Sequence, residues 1–211
     1  MDISEHAEAL HKKGQELVRN GQYTQAISVL EDAAKIAPQW AYPPYDIAFS
    51  YLLQQQFDQA LAYYKQTDDL EPDGFYTTKT AIWGLEKEIS GVYPPGLYLA
   101  YAQVEWIREK DRKLAILKDI SQKFPTYAPA WKGLGSELEH PDERLKAIES
   151  GLACPDIDLE TKGGLLIDKA LVTQLKGDTS SAKKQLESLL KSQSSISNRE
   201  LAEFLLSTMA G

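Results

Sequence analysis

The sequence predicts an all-α chain built of stacked helix hairpins. Three observations predict it. Apolar residues recur at helical spacing, and no strand alternation of useful length occurs. A pattern repeats at a fixed interval. Glycine and proline fall where hairpins need turns and stops. The repeat is read from two stretches: GQYTQAISVLEDAAKIAP closes on Pro38, and QQFDQALAYYKQTDDLEP closes on Pro72, 34 positions later. In that register Tyr23 matches Phe57, Ala26 matches Ala60, Leu30 matches Tyr64 and Ile36 matches Leu70.

Taken in order, helices are expected at about 3–20, 22–36, 41–54, 56–70, 76–90, 95–108, 111–124, 128–139, 142–153, 159–176, 179–191 and 198–209, about 12 in all. Small residues such as Gly14, Ala26, Ala48 and Ala60 mark places where two helices approach closely, and Leu10, Leu17, Leu30 and Trp131 fill the gaps between them. Gly21 and Gly177 suit tight turns, because glycine tolerates positive φ. Pro38, Pro72, Pro125 and Pro155 follow helix ends, and Pro43-Pro44 suits a first turn. The phase breaks at 73–96, where an apolar stripe of Ala81, Ile82, Leu85 and Ile89 reads as an inserted or orphan helix. Ser197 with Glu200 reads as a capping box for the last helix. That helix carries Leu201, Phe204, Leu205 and Met209 toward the final repeat.

The 34-residue period and its small and large positions resemble the tetratricopeptide repeat. Trp131, Leu134, Gly135 and Leu138 follow the W-x2-L-G-x2-Y opening with Leu for Tyr. Leu166, Ala170, Gly177, Ala182, Leu186 and Leu189 give a later match. The resemblance covers 7–72 and 159–190 well and is degenerate over about 97–155. It implies a right-handed superhelical solenoid whose first helices line a concave groove. The domain would be a single one: repeats at 3–38 and 39–72, the helix at 73–96, degenerate repeats at 97–125 and 126–156, a repeat at 157–191 and a capping helix at 197–209.

Composition limits the function. Hydrophobic residues make up 43% and charged residues 26% of 211, which suits a folded chain. No apolar run is long enough to span a bilayer. A net charge of −8 disfavours binding phosphate backbones, so no nucleic acid or membrane partner is expected. The N-terminus MDISEHAEALHKKG shows no secretory or mitochondrial pattern, so a cytoplasmic location is expected. Cys154 stands alone and reads as a small apolar residue. His6, His11 and His140 lack metal-ligand spacing, and no phosphate-binding glycine loop or nucleophile elbow occurs. No metal, cofactor or enzymatic activity is expected.

The informative surface is then the groove that the resemblance implies. Its first pair contributes Glu8, His11 and Gln15, and its second contributes Tyr42, Tyr45, Phe49 and Leu52. Later repeats add Tyr98, Lys132, Ser136, Ile167 and Leu171. Some family members clamp a chaperone carboxyl terminus with Lys, Asn and Arg. Here His11, Gln15 and Asp46 stand at those positions, and an aspartate repels a carboxylate. Because 41–54 is apolar nearly all round, two readings stay open. Either Tyr42, Tyr45 and Phe49 form an aromatic patch for a peptide, or 73–96 folds back and fills the groove. The expected role is a non-enzymatic module binding a protein or peptide partner. The alternatives are a self-assembling homo-oligomeric scaffold and an enzyme with a site near Tyr93, Tyr98, Tyr101, Glu105 and Lys132.

Overall fold

The computed structural model describes residues 3–209. Among these residues are twelve α-helices, one short 3-10 turn and no strand. The chain divides into two compact units, residues 1–99 and 100–211, with the boundary inside the sixth helix.

The first unit begins with α1 (Glu5–Arg19) and α2 (Tyr23–Ile36). The Ser4 side chain accepts the Ala7 N–H at 3.3 Å and so starts α1, with Glu5 and Glu8 complementing the positive helix end. A Cβ added at Gly14 would lie 2.5 Å from Leu30 Cγ, so glycine lets α1 and α2 meet directly. The second hairpin is α3 (Tyr42–Leu53) and α4 (Phe57–Leu70). Pro43 and Pro44 occupy the first turn of α3, where a missing N–H costs nothing. Ile47 joins Ala26, Ile27 and Leu30 in one core, with Tyr51 and Tyr63 stacked 5.6 Å apart at its margin.

Next comes α5 (Thr78–Ile89), which packs on α4 as α3 packs on α2. Lys79 reaches Asp68 at 2.6 Å and Lys65 reaches Glu86 at 2.7 Å between them. Among the described residues, four helices end on one shared turn. Gly21, Gln55, Gly91 and Gly177 all have positive φ (74°, 58°, 78° and 94°). At each, the following residue returns its N–H to a carbonyl five residues back, as in Gln22 to Leu17, Gln56 to Tyr51, Val92 to Lys87 and Asp178 to Thr173. Thus α5 reproduces the local geometry that closes α1 and α3. The short α6 (Leu97–Ala102) starts on the buried Glu88 carboxylate, which accepts Gly96 N–H at 2.7 Å and Tyr98 N–H at 2.5 Å. The expected helix at 95–108 is therefore α6 followed by a 3-10 turn, Gln103–Trp106.

The second unit continues with α7 (Lys110–Lys123), α8 (Ala128–Glu137), α9 (Pro141–Leu152), α10 (Leu159–Leu175), α11 (Thr179–Leu190) and α12 (Ile196–Met209). Val104, Leu117, Leu134 and Ala147 make one core, and Ile148, Leu165 and Val172 make the next. The last core joins Ile167, Ala170, Leu186 and Leu189 to Ala202 and Met209 of α12. Two expectations about α12 change. It starts at Ile196, with Arg199 N–H returning to Ser195 O, so Ser197 lies inside the helix and does not cap it. Its inward face is Ala202, Leu205, Leu206 and Met209, while Leu201 and Phe204 point outward, 45% and 63% exposed.

Candidate functional site

On α1, Glu8, His11 and Gln15 recur at helical spacing and share one face. That face meets α3 through a carboxylate. Asp46 Oδ2 accepts His11 Nε2–H at 2.8 Å and Gln15 Nε2–H at 3.0 Å. Around this pair lies an aromatic cluster. Trp40 packs edge-on to His11 with ring centres 4.7 Å apart, and Tyr42 stands 5.7 Å from His11. Phe75 sits edge-on to Tyr42 at 4.9 Å and to Tyr45 at 5.5 Å. Tyr76 packs 4.7 Å from Phe75 and 5.4 Å from Tyr45. Such edge-to-face pairs contribute about 0.5–1.5 kcal/mol each beyond the area they bury.

The turn that delivers Phe75 and Tyr76 is locally pinned. Gly74 takes φ 108° and its N–H returns to Glu71 O. The Phe75 carbonyl then accepts both the Thr78 N–H at 3.0 Å and the Thr78 hydroxyl at 2.6 Å. Between these bonds Tyr76 is held at φ 46°, a left-handed conformation that costs an L-residue about 1–2 kcal/mol. Its phenol donates to Tyr42 Oη at 3.2 Å. That bond, with burial second and the charge of Asp46 contributing, pushes the Tyr76 phenol up to about 12. The Tyr45 and Thr77 hydroxyls also pair, at 3.2 Å. The rings nevertheless stay open to solvent: Tyr76 is 56% and Tyr42 is 37% exposed.

The structure thus brings together four of the eight residues singled out from the sequence. His11, Gln15, Tyr42 and Tyr45 are in the cluster, and half-buried Phe49 continues its stripe on α3. Leu52 does not belong to it. It is fully buried. Tyr98 is also a core residue: it packs where a Cβ on Gly84 would lie 3.1 Å from its ring. Ile167 is likewise buried, within the second unit. Three members of the cluster were missed from the sequence: Trp40, Phe75 and Tyr76. The available signal was an aromatic pair inside an otherwise polar connection, Asp73-Gly74-Phe75-Tyr76-Thr77.

Lys132 stands apart, in a cleft of about 180 Å³ in the second unit, lined also by Tyr101, Val104, Glu105, Leu117 and Ser136. Beside it the Ser136 hydroxyl reaches Asp168 at 3.3 Å. Burial pushes the Asp168 carboxyl up, against the opposing pull of Lys132 and Arg144. Burial also pushes the Cys154 thiol up, and its S–H points at the Ser150 and Pro125 carbonyls. Among the described residues, no group of three or more His, Cys, Asp or Glu side chains is placed to hold a metal ion. No helix among them is long and apolar enough to cross a membrane.

Residues 17–81 match a family model of the tetratricopeptide repeat. That segment belongs to the tetratricopeptide repeat family. It contains α2, α3 and α4 whole, and with them most of the aromatic cluster. No curated protein matches the sequence. Among solved structures, a thermophilic tetratricopeptide repeat protein of Thermus thermophilus is 18% identical, covering 97% of this chain and 98% of its own, with a TM-score of 0.42. The TPR2AB domain of yeast Sti1, in a complex with pHSP90, is 14% identical over 99% of this chain and 87% of its own, with a TM-score of 0.46. MamA of Desulfovibrio magneticus is 13% identical over 90% and 96%, with a TM-score of 0.42.

Proposed function

We propose that this chain is a non-enzymatic binding module that holds a protein or peptide segment against the aromatic face of its first unit. The observation that carries the reading is the pair of solvent-open rings, Tyr42 and Tyr76, fixed by their mutual hydroxyl bond above the His11–Asp46 pair. Aromatic side chains with few rotors lose little entropy on contact, and clustered exposed ones mark interaction surfaces. Strain retained at Tyr76 fits the same reading, since the fold keeps the ring outward against a conformational cost. On this reading segment 73–77 extends the aromatic surface.

The test is site-specific photo-crosslinking. A benzoylphenylalanine is placed at position 76 and, as a control, at the exposed Ser207. Adducts in lysate are expected from position 76 alone, and they should disappear on Tyr42→Ala. Identical adducts from both positions, or none from position 76, would refute the reading.

A second reading, self-assembly, has the outward Leu201 and Phe204 of α12 in its favour. Light scattering at two concentrations, with Leu201→Ser/Phe204→Ser as comparison, decides it.

A further inference from the structure

We infer that the partner segment is cationic: an arginine or lysine side chain lies over the open rings of Tyr42 and Tyr76 and meets the unused oxygen of Asp46. This rests on the aromatic face being the partner site.

Charge points the same way. Within residues 1–99, Asp and Glu number 14 and Lys and Arg number 7, a net of −7 out of the chain's −8. An approaching cation is therefore attracted to this unit before it touches anything. Close to the rings, the α1 face presents Glu8 beside His11; Lys12, four residues after Glu8, flanks that stripe as an exposed cation, while Lys13 lies off it by helical spacing. Lys79, the basic residue nearest the 73–77 turn in sequence, is held by Asp68.

Asp46 supplies the specific contact. His11 and Gln15 both donate to Oδ2, which fixes the orientation of the carboxylate. Oδ1 accepts no hydrogen bond from the described residues, and the side chain keeps 18% of its exposure. A carboxylate fixed through one oxygen and still partly exposed, bonded to the His11 that packs against Tyr42, matches a guanidinium or ammonium group in charge and shape. A carboxylate ligand would face Asp46 and the ring quadrupoles with the wrong sign.

The experiment is an array of dodecapeptides with random flanks and a central residue fixed as Arg, Lys, Gln or Glu. It is probed with the labelled full chain, its Asp46→Asn and Tyr76→Asn variants, and circular dichroism as a check on folding. The Arg and Lys pools should be retained over the Gln and Glu pools, and added salt should weaken them. Tyr76→Asn should lower that retention about 2- to 30-fold, the range for a cation over an aromatic face. Asp46→Asn should reduce the preference for Arg and Lys. Should Asp46→Asn fail to fold, Tyr76→Asn still decides, because asparagine accepts the left-handed backbone there. Equal retention of Gln or Glu pools that is still lost on Tyr76→Asn overturns the cationic partner and leaves the aromatic face standing. Absent retention, or retention indifferent to Tyr76→Asn, overturns both.

Discussion

Replacing Gln55 by glycine should make the protein more stable, although it deletes a whole side chain. Gln55 occupies the turn that Gly21, Gly91 and Gly177 occupy elsewhere, at φ 58° and with the same return hydrogen bonds. An L-residue held in that region costs about 1–2 kcal/mol. Glycine removes the cost but gives the unfolded chain more freedom, worth about 0.5–1 kcal/mol in the other direction. Gln55 is exposed and its side chain makes no hydrogen bond, so nothing else is lost. The net expectation is a gain of about 0.5–1 kcal/mol, which raises Tm by roughly 1–4 °C for a chain of this size. The reverse change, Gly21→Gln, has open space, with nothing within 4 Å of an added Cβ, so only the backbone preference acts. It should cost a similar amount. Urea and thermal unfolding followed by circular dichroism, on both single variants and on the double variant, measure the two effects. Opposite signs and a double variant close to wild type are expected. A loss of stability in Gln55→Gly, or no effect of Gly21→Gln, would refute the claim that one left-handed turn closes the hairpins.

Other substitutions test the packing and the titration. Gly14→Ala places a Cβ 2.5 Å from Leu30 Cγ, so calorimetry should show a loss of about 1–3 kcal/mol from forced separation of α1 and α2. Leu52→Ala should cost about 2–5 kcal/mol by cavity formation, with no change in the crosslinks formed at position 76 per folded molecule. The Tyr63 phenol is pushed up to about 12, first by burial and then by its bond to Glu31 at 3.0 Å. The unfolded chain loses this proton near pH 10 while the folded chain keeps it, so stability should fall as pH rises from about 10 toward 12. Tyr63→Phe should flatten that part of a pH series of urea midpoints.

The architecture was legible because a helix hairpin writes its geometry into residue size. Gly14 against Leu30 and Ala48 beside Ile47 are periodic in the sequence for the same reason that they are close in space. What failed was helical phase at the ends of stripes. Leu52 belongs to the i, i+3, i+7, i+10 series from Tyr42, yet it is fully buried. Leu201 and Phe204 are apolar on the outer face of α12, where apolarity alone assigns them to the inner one. The His11–Asp46 pair was out of reach for a different reason. The sequence shows two ionisable residues at corresponding helix positions, but only the α1–α3 approach turns an expected repulsive aspartate into a held hydrogen-bond acceptor.

The break in the repeat and the candidate site have one cause. Positive-φ residues fall 34 positions apart at Gly21 and Gln55, but 36 apart at Gln55 and Gly91. Pro72 keeps phase with Pro38, whereas α3 starts four residues after its proline and α5 starts six after. The two extra residues therefore lie between Pro72 and Thr78, in the segment that carries Phe75 and Tyr76. The connection of ordinary length sets one ring, Trp40, against His11 of α1, and the longer one sets two, Phe75 and Tyr76, against Tyr42 and Tyr45 of α3. The added length lets Gly74 reverse the chain, lets Thr78 pin the Phe75 carbonyl, and leaves Tyr76 in its left-handed conformation beside Tyr42. Deleting Phe75 and Tyr76 together would restore the 34-residue phase without removing any core side chain of α5. Such a variant should fold and lose the Arg and Lys peptides that the aromatic face is expected to retain. If it folds and keeps them, the partner contacts lie elsewhere and the extra residues are only a longer connection.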